Sequence, residues 1–189
     1  ISPYFYACGY TATPGQSNLK RSTDGANWTN LNVPNLETTF TIAYNNGLYV
    51  VSGYSAVNSN DQIQWSTDAI NWNSSTGWGF DGFGNRGIAY GAGVWVIAGQ
   101  NQQFSAEGSL LWSTDGKDWN PALSGGFPLG EAYDVAFNGN YFVAVGLEPG
   151  DGNTILTSLD GKTWMNTTGG FLNNGKSVAW GGTNWIAVG

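Results

Sequence analysis

One short motif is written four times along this chain, in phase. It reads Ser22-Thr23-Asp24-Gly25-Ala26-Asn27-Trp28, then Ser66-Thr67-Asp68-Ala69-Ile70-Asn71-Trp72, Ser113-Thr114-Asp115-Gly116-Lys117-Asp118-Trp119 and Ser158-Leu159-Asp160-Gly161-Lys162-Thr163-Trp164. The closing tryptophans recur at intervals of 44, 47 and 45 residues. A fixed period of this length restricts the fold to a repeat architecture, in which each unit buries its apolar surface against its neighbours.

Two further motifs keep the same phase. An aromatic residue stands four positions before a glycine in Phe5…Gly9, Tyr49…Gly53, Trp95…Gly99, Phe142…Gly146 and Trp185…Gly189. The residues between are almost all apolar, the pattern of a strand buried on both faces. Nine residues before each of the last four glycines stands the aromatic of an Ala-aromatic pair: Ala43-Tyr44, Ala89-Tyr90, Ala136-Phe137 and Ala179-Trp180. Between the two motifs lie Asn45-Asn46-Gly47, Gly91-Ala92-Gly93, Asn138-Gly139-Asn140 and Gly181-Gly182-Thr183. These are hairpin-turn sequences that tolerate positive φ. Each unit therefore reads as four antiparallel strands, A to D. A ends in the Ala-aromatic pair, B ends in glycine, C runs into the Ser-x-Asp motif and D starts near its tryptophan. The units span roughly 1–31, 40–75, 86–122 and 133–167, with a partial unit at 176–189, and form a single domain over 1–189.

The Ser-x-Asp-x-Gly-x-x-Trp pattern resembles the Asp box, or BNR repeat, of sialidase-type β-propellers. The resemblance covers essentially the whole chain, and only Ala69 departs from the central glycine. It also extends to repeats of bacterial surface, phage and giant-virus proteins. It implies an all-β fold: a β-propeller of four-stranded antiparallel blades, about four blade equivalents long. In that family the box is a turn between the third and fourth strands, its Asp capping the backbone and its Trp lying between blades. Ser22, Asp24, Trp28, Ser66, Asp68, Trp72, Ser113, Asp115, Trp119, Ser158, Asp160 and Trp164 are then structural. Asp followed by Gly suits such a turn on its own terms. The strand order B-C-D, three times A-B-C-D, then A-B is expected to be a piece of a larger propeller. The alternative is that neighbouring chains complete the ring or cover its edges.

Length varies only between B and C and between D and A, which places all variation on one face. A rigid scaffold with variable loops on one face is the usual layout of a binding surface. The candidates for ligand contact there are Trp78, Phe80, Asp81 and Phe83 in the glycine-aromatic loop 77–85, with Phe127, Glu131 and Phe171 in the corresponding loops. Exposed aromatics beside Asn and Asp suit stacking on sugar rings or anchoring a protein partner. The competing reading folds these phenylalanines back over the blade core.

Several functions are disfavoured by what the chain contains. It has no histidine, six basic and 13 acidic residues, and a net charge of −7. A nucleic-acid partner would require a basic stripe, and none exists. Sialidases of this fold use three arginines, and only Arg21 and Arg86 occur, in non-equivalent strands. The loop acids Asp81, Glu107, Glu131, Glu148 and Asp151 show no spacing that selects a catalytic pair. No metal or cofactor site is expected, and Cys8 reads as a small core residue. No apolar run reaches the length of a membrane helix. The expectation is a non-enzymatic binding or structural propeller that recognises a glycan or protein, on a cell surface, secreted or on a virion. The alternatives are an enzyme whose catalytic residues lie outside this segment and an intracellular assembly factor.

Overall fold

The computed structural model describes residues 4–11, 18–55, 59–80, 86–100, 107–127, 131–147, 153–171 and 173–189. The fold is all-β, with five sheets in chain order, antiparallel except where one short strand joins the edge of the third in parallel. The first holds β1 (Phe5–Cys8), β2 (Leu19–Ser22) and β3 (Thr29–Leu31). The second holds β4 (Thr38–Asn45), β5 (Leu48–Tyr54), β6 (Ile63–Ser66) and β7 (Asn73–Ser74). A short strand β8 (Thr76–Gly77) follows, and then the third sheet: β9 (Gly87–Gly91), β10 (Val94–Ala98), β11 (Leu110–Ser113) and β12 (Asp118–Pro121). The fourth holds β13 (Ala132–Phe137), β14 (Phe142–Gly146), β15 (Ile155–Ser158) and β16 (Met165–Asn166), and the fifth β17 (Ser177–Trp180) and β18 (Trp185–Val188). This is the strand order expected from the repeats. The helical content of the described residues is two 3-10 turns, Ser59–Gln62 and Glu107–Ser109, each leading into a C strand.

The A–B hairpins turn where the sequence places Asn and Gly. Asn46 and Gly47 have φ of 47° and 83°, and Ala92 and Gly93 have 49° and 80°. Two successive positive φ values match the right-handed twist of the strands they join. Across each hairpin the repeat aromatics are register partners: Tyr44 with Tyr49, Tyr90 with Trp95, Phe137 with Phe142 and Trp180 with Trp185. Their ring centroids lie 4.5, 5.1, 4.5 and 5.3 Å apart. Such pairs contribute about 0.5–1.5 kcal/mol beyond the area they bury.

The sheets stack face to face, and each interface has its own apolar cluster. Leu19, Val33 and Val51 lie between the first and second sheets. Val50, Ile97 and Trp119 lie between the second and third, Val96, Ala144 and Trp164 between the third and fourth, and Val143, Val145 and Val178 between the fourth and fifth. Neighbouring residues of one B strand thus serve different interfaces, Val51 the earlier and Val50 the later. This is why β10 and β14 are buried along their whole length. The B strands of the end sheets, β1 and β18, face one described neighbour and are buried far less.

The A strands β4, β9, β13 and β17 touch in succession, so the sheets converge there and fan apart towards the D strands. The widening gap is filled in two ways. The motif tryptophans Trp119 and Trp164 insert into it, 1% and 4% exposed. Main chain leaving the previous sheet then closes over them: β8 pairs parallel with Asp118–Trp119, and Ser124 bridges Thr163. Gly77 and Gly125 have φ of +83° and +74°, and an added Cβ would lie 2.3 Å from the carbonyl oxygen of Trp119 or Trp164. The four tryptophans are not equivalent, contrary to expectation. Trp28 is 39% exposed, because its sheet has no described sheet before it to supply that cover, and Trp72 is half-buried. Trp119→Ala should therefore cost about 3–5 kcal/mol, and Trp28→Ala only about 1 kcal/mol or less. Urea melts of the two variants check this; equal losses would contradict the packing described.

Candidate functional site

The Ser-x-Asp turns repeat one hydrogen-bond pattern. Each serine Oγ donates to its aspartate Oδ1, at 2.9 Å in Ser22, Ser66 and Ser113 and 3.0 Å in Ser158. The same Oγ accepts from the backbone N–H of Gly25, Ala69, Gly116 and Gly161 at 2.8–2.9 Å. Asp Oδ1 then accepts two further N–H groups, those of Lys117 and Asp118 in the third copy at 2.8 and 3.0 Å. The residue in the glycine position has φ of 76°, 58°, 72° and 71°, so Ala69 keeps the left-handed conformation that glycine adopts freely.

These bonds favour the ionised carboxylate. The N–H and side chain of Asn27 hold Asp24 well below the usual carboxylate range, and the N–H groups of Asn71 and Ile70 do the same for Asp68. At Asp115 and Asp160 burial pushes upward, but the backbone donors outweigh it and the net direction is down. A carboxyl whose pKa is lower folded than unfolded stabilises the fold above its unfolded pKa, near 3.9. That contribution is lost as pH falls through the folded value. Asp115→Ala should cost about 1–2 kcal/mol at neutral pH, as for loss of a capping oxygen. Asp115→Asn keeps an acceptor oxygen, so its deficit relative to the parent should shrink as pH drops below about 4. Thermal melts at pH 6 and pH 3 test this; a deficit independent of pH would contradict the assignment.

The loops at the other end of the sheets are clamped from below. The residue before each C strand is a buried polar group: Asn18, Gln62, Ser109 and Thr154. Asn18 Nδ2 donates to the carbonyls of Val33 and Leu36 at 3.1 and 2.6 Å. Ser109 Oγ accepts from the N–H of Phe127 at 3.0 Å, and Thr154 Oγ1 from that of Phe171 at 2.6 Å. The clamp turns the loop hydrophobe inward. Phe80 and Phe127 are 1% and 0% exposed, and Phe171 is half-buried. Phe80 and Phe127 therefore lie beneath the surface, which corrects their placement among exposed ligand-contact candidates and matches the competing reading that folds them over the blade core.

The inward phenylalanines also explain two of the glycines that end B strands, Gly146 and Gly189, and Leu36 does the same at Gly53, whereas a Cβ at Gly9 would meet nothing within 4 Å. A Cβ at Gly146 would lie 2.8 Å from the Phe127 ring and 2.4 Å from the Glu131 carbonyl oxygen, and one at Gly189 would lie 2.8 Å from Phe171. Sequence reasoning missed this role. The signal was spacing: Leu36, Phe80 and Phe127 each stand eight residues after a motif tryptophan, and Phe171 seven.

Trp78 remains. Its N–H donates to the Trp119 carbonyl at 2.9 Å, which fixes the backbone, while the side chain is 48% exposed. It borders a cavity of about 220 Å³ with Ile63, Ser75, Thr76, Gly77 and Gly79. Ser75 Oγ is buried there and has no hydrogen-bond partner among the described residues. Buried Asp61 accepts from Ser74 Oγ and, at 3.2 Å, from Asn35 Nδ2, tying the loop to the first sheet's exit. Asp81 and Phe83, which were grouped with Trp78, lie outside the described residues, as do Glu148 and Asp151.

Glu131 stands elsewhere on this face. One of its oxygens accepts from Gln100 Nε2 at 2.8 Å and the other from the Tyr133 hydroxyl at 2.5 Å. Arg86 lies 5.0 Å and Lys176 Nζ 4.0 Å from the Tyr133 ring centre. Burial, and then the Glu131 carboxylate, push the Tyr133 phenol up to about 12. The pair is thus a carboxylate–phenol hydrogen bond. Cys8 is partly buried, which pushes its thiol up to about 11. Among the described residues no group of three or more His, Cys, Asp and Glu could hold a metal, and no helix is long and apolar enough to cross a membrane.

No protein-family model matches the sequence, and no curated protein aligns with it. Solved structures do resemble the fold. YCF48 from Cyanidioschyzon merolae matches 94% of this chain and 56% of its own length, with a TM-score of 0.58 at 13% identity. A chain of the nidogen/laminin complex matches 89% of this chain and 62% of its own, with a TM-score of 0.63 at 15% identity. The computationally designed Ika4 protein matches 84% of this chain and 92% of its own, with a TM-score of 0.55 at 11% identity. The chain therefore spans about three-fifths of the first two. At these identities the likeness shows the fold alone, and that fold is the β-propeller.

Proposed function

We propose that this chain is a non-enzymatic binding propeller built from Asp-box repeats, which takes a ligand on the face where B–C and D–A loops vary. The observation that carries this reading is Trp78. It is a large aromatic held in place by its own backbone bond, half exposed, and set beside a small concave site. An indole face with a few neighbouring polar groups suits a neutral sugar ring. The cavity accommodates roughly one ring, and the net charge of −7 opposes anionic glycans. A protein partner is the second reading. It draws on the same exposed indole, since tryptophan is enriched at binding hot spots, and on the likeness to a propeller seen in a nidogen/laminin complex. Display on a cell surface, secretion or attachment to a virion fits either ligand.

Glycan-array screening followed by titration of the best hit tests the sugar reading. Trp78→Ala should weaken binding by about 2 kcal/mol or more and leave the melting temperature unchanged. A variant that binds like the parent removes Trp78 from the site. The non-enzyme reading rests on the absence of histidine and on Glu131 being bonded to Tyr133 and Gln100. Sialoside and neutral β-glycoside reporters should show no turnover. Turnover abolished by Glu131→Ala would overturn this reading in favour of an enzyme.

A further inference from the structure

The loop that carries Trp78 departs from its counterparts at two positions. Counted from the motif tryptophan, Ser75 stands where the other copies have Leu31, Ala122 and Thr167, and Trp78 where they have Pro34, Gly125 and Gly170. The backbone bears out the first equivalence. The N–H of Ser75 donates to the Ile63 carbonyl at 3.0 Å, that of Ala122 to the Leu110 carbonyl at 3.0 Å and that of Thr167 to the Ile155 carbonyl at 3.2 Å. The side chains differ. Ala122 is buried in an apolar cluster. Thr167 Oγ1 donates to the Ile155 carbonyl at 2.9 Å. Ser75 Oγ is buried and bonds to nothing among the described residues.

A buried hydroxyl destabilises the fold unless something pairs with it. The other buried side-chain atoms without a partner among the described residues are Ser52 Oγ, within β5, and the indole N–H groups of Trp72, Trp119 and Trp164, which recur with the motif. Ser75, by contrast, lines the cavity of about 220 Å³ beside Trp78. The lining residues Ile63, Ser75, Thr76, Gly77, Trp78 and Gly79 are all uncharged. Main-chain bonds fix both walls. Ser75 is tied to the second sheet through Ile63, and Thr76 and Trp78 are tied to the third through the carbonyls of Lys117 and Trp119, both at 2.9 Å. The hydroxyl and the indole therefore stand on backbone already set in the free protein, so a ligand need not order it.

We propose that Ser75 Oγ selects the ligand of this site by pairing with one hydroxyl of a neutral pyranose whose ring lies on Trp78, a role that rests on the sugar reading given above. An indole face accepts the C–H face of many pyranoses, so stacking alone discriminates little. A serine hydroxyl donates one hydrogen bond and accepts two, which matches a sugar hydroxyl, itself donor and acceptor. A carboxylate, phosphate or ammonium entering the same cavity would lose water and find no opposite charge among the lining side chains. A ligand lacking the matching hydroxyl leaves Ser75 buried and unpaired, so the site rejects it. In the next copy the same position carries Ala122, which has no hydroxyl to satisfy.

The test combines a protein change with a ligand change. Methyl α- and β-glycosides of glucose, galactose, mannose and xylose are titrated while the Trp78 indole N–H is followed by NMR. The glycoside that binds is then replaced by its monodeoxy analogues. One analogue should bind the parent on the order of tenfold more weakly. Ser75→Ala should lose a similar factor for the full sugar and bind the full sugar and that analogue alike, the non-additivity of two groups in contact. Ser75→Ala should also melt at or above the parent's temperature, because it removes an unpaired buried hydroxyl. A Ser75→Ala protein that binds the full sugar like the parent, while Trp78→Ala does not bind it, overturns the role of Ser75 and leaves the sugar reading standing. A Ser75→Ala protein that melts well below the parent also overturns that role, since the hydroxyl then has a partner within the fold. If no glycoside shifts the Trp78 indole, the sugar reading and the role of Ser75 fall together, in favour of a protein partner.

Discussion

Every B strand in this molecule carries apolar side chains on both faces, and the rest of the architecture follows from covering both. No four-stranded sheet can do that alone. Val50 and Val51 are adjacent in sequence and belong to different clusters, so the second sheet needs a sheet on either side of it. The A strands meet closely and the D strands splay, which leaves a wedge at each interface. Trp119 and Trp164 fill that wedge, and the Ser-x-Asp turns hold them in position. The turn hydrogen bonds are local and cheap in entropy, while the tryptophan contributes the buried area. The motif joins a rigid corner to a filler, which is why its two halves recur together.

Much of this was legible in the sequence because the determinants are local and periodic. The hairpin glycines, the aromatic partners across each hairpin and the capping Ser and Asp all act within a few residues of one another. Their spacing fixed strand order and register. What the sequence hid was inequality between copies. Trp28 and Trp119 share one motif but differ in exposure, because burial depends on the sheet before, not on the residues around the tryptophan. For Phe80 and Phe127 the sequence left two readings open, ligand contact at the surface and folding back over the blade core, and burial decides for the second. They are core residues because Gln62, Ser109 and their counterparts sit at the base of those loops, and Ser109 bonds the Phe127 backbone itself. Gly146 and Phe127 belong to one contact, as do Gly189 and Phe171, yet the partners are many residues apart, so period alone could not join them.

The same reasoning separates scaffold from candidate site. Once the clamped phenylalanines are assigned to the core, the glycine-aromatic loops contribute one described large aromatic to the surface, Trp78. Its backbone is held by the staple that covers Trp119, so the exposed indole stands on one of the best-buried interfaces in the molecule. Precision at the loop face is inherited from packing underneath it. Glu131, by contrast, spends both oxygens on neighbours within the rim.

Because each apolar cluster joins one sheet only to the next, the chain behaves as a one-dimensional stack with nearest-neighbour coupling. Such a stack lacks a single all-or-none core. Its cooperativity spreads along the chain, so among the described sheets those coupled on both sides open last. A lesion in one interface weakens two sheets and leaves distant ones nearly untouched. Lengths can therefore change by whole units without redesigning the interior: insertion or loss of one repeat moves the ends apart or together but creates no new kind of contact. Tolerance to unit gain and loss is a property of the packing itself, and it makes this architecture easy to vary by duplication while the loops above it diversify one unit at a time.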